Sequence, residues 1–109
     1  MWLITPRGFY SAVAKPGDGD EFVTVRARSE HDIRNLADLI DAKPSRDEGT
    51  DYRWRLRCPK TEWAQAVATM AQEIDYGNFK NRIARDDPDR AHLLAGVWDV
   101  LAELQRREG

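Results

Sequence analysis

The segment Asp51-Tyr52-Arg53-Trp54-Arg55-Leu56-Arg57-Cys58 constrains this chain more than any other. Tyr52, Trp54, Leu56 and Cys58 alternate with Arg53, Arg55 and Arg57. Successive side chains of a strand point to opposite faces, so this period of two predicts a half-buried strand, apolar on one side and cationic on the other. No helical register sorts these residues in that way, which argues against an all-helical bundle. Residues 21–28 repeat the pattern, with Val23, Val25 and Ala27 set against Thr24, Arg26 and Arg28. Phe9 to Ala14 reads as a third strand, with Phe9, Ser11 and Val13 on one face and Tyr10, Ala12 and Ala14 on the other. The intervening Lys15-Pro16-Gly17-Asp18-Gly19-Asp20 is dense in turn formers and predicts a hairpin. Trp2 to Thr5 is short and β-prone, and Pro6 and Gly8 separate it from Phe9.

Helical signals fill the rest. Ser29-Glu30-His31-Asp32 has the form of an N-cap with an acidic residue three places on. Ile33, Leu36, Ala37 and Ile40 follow at helical spacing, and Pro44 predicts an end near Asp41-Ala42. Lys43 to Thr50 reads as a polar loop. After Pro59 a stripe of Trp63, Val67, Met70 and Ile74 predicts a helix broken at Asp75-Tyr76-Gly77-Asn78. A short helix carrying Phe79 and Ile83 runs to Arg85. Asp86-Asp87-Pro88 stops it and starts the last one, striped by Leu94, Val97, Trp98, Leu101 and Leu104, with Gln105 to Gly109 expected to fray. Trp63 and Trp98, each in a helical stripe, are expected in the core.

These elements predict one α+β domain over residues 1–109: a small antiparallel sheet of three or four strands with helices packed on one face, in the order ββαβαα, ferredoxin-like or related. A chain of 109 residues is long enough for one core. Its net charge of −2, from 17 basic and 19 acidic residues, gives no overall attraction for nucleic acid, so a basic site must come from uneven placement. A single cysteine, Cys58, excludes an internal disulfide and suits a reducing cytoplasm. No apolar run approaches the length of a membrane span, and the N-terminus has no signal-peptide pattern.

Several segments together resemble a family of small uncharacterised bacterial proteins. They are Met1-Trp2-Leu3, Gly8-Phe9-Tyr10-Ser11, Val25-Arg26-Ala27-Arg28, Thr50-Asp51-Tyr52-Arg53, Ile74-Asp75-Tyr76-Gly77-Asn78-Phe79-Lys80, and Arg90-Ala91-His92 through Val97-Trp98. The resemblance spans nearly the whole chain and is most specific at Ile74–Lys80. It departs at Leu93-Leu94-Ala95-Gly96, where an aromatic residue is expected. It implies one complete domain and carries no activity, substrate or cofactor.

Two groups of residues could form a site. Arg26, Arg28, Arg53, Arg55 and Arg57 share a sheet face if their strands are neighbours. Guanidinium groups grip phosphate or carboxylate with paired hydrogen bonds, so such a face suits RNA, single-stranded DNA or an acidic protein. The plainer reading is a solvated face neutralised by Asp18, Asp20, Glu21, Asp47 and Glu48. Sheets that bind RNA interleave aromatic and basic residues. Here the aromatics of the 52–58 strand are expected to point away from the arginines, leaving Tyr10 as the one obvious aromatic to share their face. The second group is Asp75, Tyr76, Asn78 and Lys80, at the helix break. Its plainer reading is a turn in which Asp75 caps a helix while Tyr76 and Phe79 fill core.

The sequence offers no metal-ligand spacing, no glycine-rich phosphate loop and no assigned catalytic residue or cofactor. These signals favour a non-enzymatic, cytoplasmic interaction module for a macromolecular partner, with protein ahead of nucleic acid because of the net charge. A small metal-dependent nuclease using carboxylates such as Asp51 and Asp75 is the alternative. Trp2, a large aromatic at the extreme N-terminus, could close the sheet edge or mark a homodimer contact.

Overall fold

The computed structural model describes residues 1–109, in the order β1 (Trp2–Thr5), β2 (Gly8–Val13), β3 (Phe22–Ala27), α1 (Glu30–Ala37), β4 (Ser45–Arg46), β5 (Trp54–Pro59), α2 (Lys60–Gln72), α3 (Phe79–Asp86), α4 (Pro88–Leu101) and α5 (Glu103–Glu108). Where the sequence reads as one domain, packing divides it into two compact units, Met1–Ile74 and Asp75–Gly109.

The first unit is built on a five-stranded antiparallel sheet in the order β1-β2-β3-β5-β4. It is therefore larger than the expected sheet of three or four strands, and the order ββαβαα gives way to βββαββααα followed by α5. Two features account for the difference. The turn at Pro6-Arg7 makes β1 and β2 separate hairpin partners, with Thr5 opposite Gly8. The polar stretch expected as a loop also contributes β4, just two residues long, on the edge of β5. So short a polar strand carries too little alternation to be read from sequence.

Helices α1 and α2 pack on one face, as the amphipathic patterns require. Ser29 caps α1 by accepting from the Asp32 amide at 3.1 Å. The helix ends at Ala37, earlier than expected, and the chain continues through a turn in which Leu39 N–H donates to Leu36 O. The core interleaves Tyr10, Val25, Leu56 and Cys58 from the sheet with Ile33, Leu36, Trp63 and Met70 from the helices, all buried. Tyr10 is fully enclosed, and its hydroxyl donates to Asp32 O at 2.8 Å. The expectation that Tyr10 could share the arginine face is therefore corrected: on β2 it is Phe9, Ser11 and Val13 that face away from the core.

Gly8 fixes how α1 meets the β1–β2 turn. A Cβ placed there would lie 2.4 Å from Asp32 Cγ, and its φ of +156° is already unfavourable for other residues. The buried Asp32 carboxylate accepts from Phe9 N–H at 3.0 Å across this close approach.

The second unit has a different balance. Asn78 caps α3 by accepting from the Asn81 amide, and Asp87 caps α4 by accepting from the Arg90 amide, with Pro88 at the first turn. α3 and α4 pack against each other. Ile83 is buried, but α4 has no buried residue at all. Trp98, expected in the core, is 55% exposed, whereas Trp63 is only 5% exposed. The residues after Leu104, expected to fray, continue as α5.

Candidate functional site: the arginine and aromatic sheet face

The face of the sheet opposite α1 and α2 is set by strand register. Ser11, Arg26 and Arg55 stand in one row across β2, β3 and β5, and Val13, Thr24 and Arg57 in another. Arg26 and Arg55 are thus direct cross-strand neighbours. Two like charges so placed disfavour the pairing by up to ~1 kcal/mol unless something compensates.

Compensation comes mostly from neutral groups. Arg26 Nη2 donates to Ser11 Oγ at 2.7 Å, Arg28 Nη1 to the Asp51 carbonyl at 3.1 Å, and Arg55 Nη2 to Thr50 Oγ1 at 2.9 Å. The Nε groups of Arg26 and Arg55 are buried and make no hydrogen bond. Only Arg57 has a carboxylate: its Nε donates to Asp18 Oδ1 at 2.8 Å. Asp18 is buried in the β2–β3 turn, where its other oxygen accepts from Lys15 N–H at 2.8 Å and Thr24 Oγ1 at 3.0 Å. The Arg57 guanidinium, aided by the Lys15 amide, holds the Asp18 carboxyl below the usual carboxylate range. Of the acidic residues expected to neutralise this face, Asp18 does so at Arg57, while Glu48 pairs instead with Arg46.

The aromatics fall where the sequence reading did not put them. Tyr52 is a correction. β5 starts at Trp54, and the chain bends at 51–53, held by Asp47 N–H on Arg53 O at 2.7 Å and by Thr50 Oγ1 on Tyr52 O at 2.8 Å. That bend breaks the alternation two residues early, and the Tyr52 ring lies with the arginines rather than in the core. The Arg26 and Arg28 guanidinium carbons sit 4.5 and 4.3 Å from its ring centre. Phe9 lies 6.3 Å from Tyr52, centre to centre, and Trp2 meets Phe9 edge-on at 5.7 Å. Arg57 stacks on Phe22 at 4.1 Å.

A row of Trp2, Phe9 and Tyr52 therefore runs beside Arg26 and Arg28. Trp2 is 73% exposed, Phe9 half-buried, and Tyr52 covered by the two guanidinium groups. Arg28 and Arg53 are exposed, while Arg26 and Arg55 are half-buried. Phe9 and Phe22 could have been assigned to this face from the sequence by extending the hairpin register outward from residues 15–20. The bend at Tyr52 left no such signal beyond the turn-forming Gly49-Thr50-Asp51.

The second group of candidate residues is occupied internally. Asp75 pairs with Arg82 at 2.5 Å, and Asn78, not Asp75, caps α3. Tyr76 packs against Phe79 at 6.0 Å with Arg82 over its ring, and both aromatics are half-buried instead of filling core. Lys80 Nζ lies 4.2 Å over the Trp98 ring. Asp75, Tyr76, Asn78 and Arg82 border an open groove within this unit.

Asp51 and Asp75 belong to different units. No group of three or more His, Cys, Asp or Glu side chains is gathered as a metal centre would need. Cys58 is buried, and burial followed by the nearby Glu62 pushes its thiol up to about 11. No helix is long and apolar enough to cross a membrane. Comparison with protein-family models, curated proteins and solved structures found no match.

Proposed function

We propose that this protein is a non-enzymatic binding module whose arginine-bearing sheet face takes single-stranded nucleic acid. The observation that carries the reading is the adjacent pair Arg26 and Arg55, with Arg28 alongside, held by neutral oxygens and flanked by the Trp2, Phe9 and Tyr52 row. Cationic groups packed together without carboxylates favour an external anion, and phosphate matches the guanidinium fork. The exposed Trp2 and half-buried Phe9 rings beside the cations offer surfaces on which bases stack, while the Tyr52 ring is already taken by Arg26 and Arg28.

In the sequence the net charge puts protein ahead, and aromatics expected to point away weaken the nucleic-acid reading. With Phe9 and Tyr52 among the arginines, that reason lapses. The remaining reason, a net charge of −2, concerns the whole chain and not this face.

The test is fluorescence anisotropy of a labelled oligouridylate titrated with the protein at several salt concentrations. Affinity should fall with salt, with a slope of roughly 0.7 per phosphate contact. Arg28→Ser with Arg55→Ser should flatten that slope, and Phe9→Ala should weaken binding at every salt concentration. Arg57→Ser should change the slope least, because Arg57 is engaged by Asp18. Absence of binding at low salt, or a slope indifferent to Arg28 and Arg55, would overturn the proposal.

A further inference from the structure

One loop holds most of the arginine face. Residues 47–53 form the tip of the hairpin between β4 and β5, closed by Asp47 N–H on Arg53 O at 2.7 Å. From this tip the Asp51 carbonyl accepts from Arg28 Nη1, Thr50 Oγ1 accepts from Arg55 Nη2, and the Tyr52 ring packs against both Arg26 and Arg28. Each contact copies one that a nucleotide would make. An oxygen on a guanidinium N–H stands where a phosphate oxygen would, and a flat ring on a guanidinium stands where a base would.

The tip is weakly anchored to the rest of the sheet. β4 contributes only the pairs Ser45–Arg55 and Arg46–Trp54, and residues 45–51 are exposed. Tyr52 is buried, but against guanidinium groups and Phe9, outside the apolar core of the unit. Segments with few apolar contacts and exposed hydrogen bonds open at far lower cost than the sheet they border. The tip also brings carboxylates to the border of the face without neutralising it: Glu48 pairs with Arg46, and Asp47 accepts from Gly49 N–H. While the tip is closed, that charge repels an approaching polyanion.

We infer that the 47–53 tip is an autoinhibitory strap. Closed, it fills the site with its own ring and oxygens; open, it releases Arg26, Arg28 and Arg55 together to phosphate. This device presupposes the nucleic-acid reading of the sheet face and adds that the incoming strand competes with the protein's own loop. Tyr52 is then a gate, and the stacking surfaces are Phe9 and Trp2.

The experiment compares the wild type, Tyr52→Phe, Tyr52→Ala and Thr50→Val in the anisotropy titration with labelled oligouridylate. Apparent affinity scales with the fraction of molecules whose site is open, so Tyr52→Ala should bind on the order of tenfold tighter. Its salt slope should match the wild type, because opening breaks contacts with neutral groups and the bound strand meets the same arginines. Tyr52→Phe keeps the ring and should bind as the wild type does. Thr50→Val frees Arg55 alone and should tighten binding by less than Tyr52→Ala. It also keeps the buried ring, so it decides the matter if Tyr52→Ala loses the circular-dichroism signal of the sheet. A wild type that binds, with Tyr52→Ala and Thr50→Val binding no tighter, would overturn the strap and leave the nucleic-acid reading standing. Failure of every form to bind at low salt would overturn that reading itself.

Discussion

The sheet unit and the helical unit use their apolar residues in opposite ways. In residues 1–74 the large side chains of β2, β3 and β5 close against α1 and α2, and Tyr10, Ile33, Leu36 and Leu56 are at most 1% exposed. In residues 75–109 the buried hydrophobic residue is Ile83, while Trp98, Leu101 and Leu104 remain more than half exposed. The first unit has a core that one chain completes. The second displays the face from which a core could be made. Hydrophobic periodicity therefore says which residues want burial, but not whether the same chain supplies the other side.

The contrast is easiest to break at Gly8. Replacing it with alanine drives a Cβ into the Asp32 carboxyl and should destabilise the sheet unit by about 3 kcal/mol or more. Urea unfolding followed by circular dichroism measures this, and a loss below ~1 kcal/mol would mean that the turn and α1 are not locked together. A matched pair of leucines sharpens the comparison. Leu36→Ala should cost ~2–5 kcal/mol, because Leu36 is fully enclosed. Leu101→Ala, at 56% exposure, should cost within ~0.5 kcal/mol. Equal losses at the two sites would erase the distinction between the units.

Smaller effects come from titration. The Asp18 carboxyl is lowered in the folded chain, so its stabilising contribution is complete above the ordinary carboxylate pKa of about 4 and is lost as pH falls through the lowered value. Arg57→Ser should flatten this acid limb of the stability curve. Cys58 has the opposite sense. Its thiol is raised to about 11, so stability is intact below the ordinary thiol pKa and declines as pH rises toward that value. Cys58→Ala should remove this alkaline decline. At pH 8 the native thiol should react with a disulfide reagent only as fast as the sheet unit opens.

Much of the fold is legible in local signals of both units. The β2–β3 hairpin, the Ser29 cap, the break near Asp75 and the start of α4 at Pro88 all follow from local signals that the structure retains. The arginine alternation on β3 and β5 also holds, with Arg26 opposite Arg55. What failed needed information from elsewhere in the fold. Tyr52 belongs to a perfect alternating run, yet a bend stabilised by Thr50 and Asp47 carries it to the other face. β4 exists only because β5 offers it an edge. Trp98 has the spacing of a core residue, but no packing partner for it could be read from one sequence.

The most direct measurement is to map an oligonucleotide onto the protein residue by residue, by NMR chemical-shift perturbation at low salt. Shifts should concentrate at Phe9, Arg26, Arg28 and Arg55, including the arginine side-chain resonances and the Trp2 indole, with residues 88–108 unmoved. Shifts centred on the helical segment, or none on the sheet face at saturation, would contradict the nucleic-acid reading.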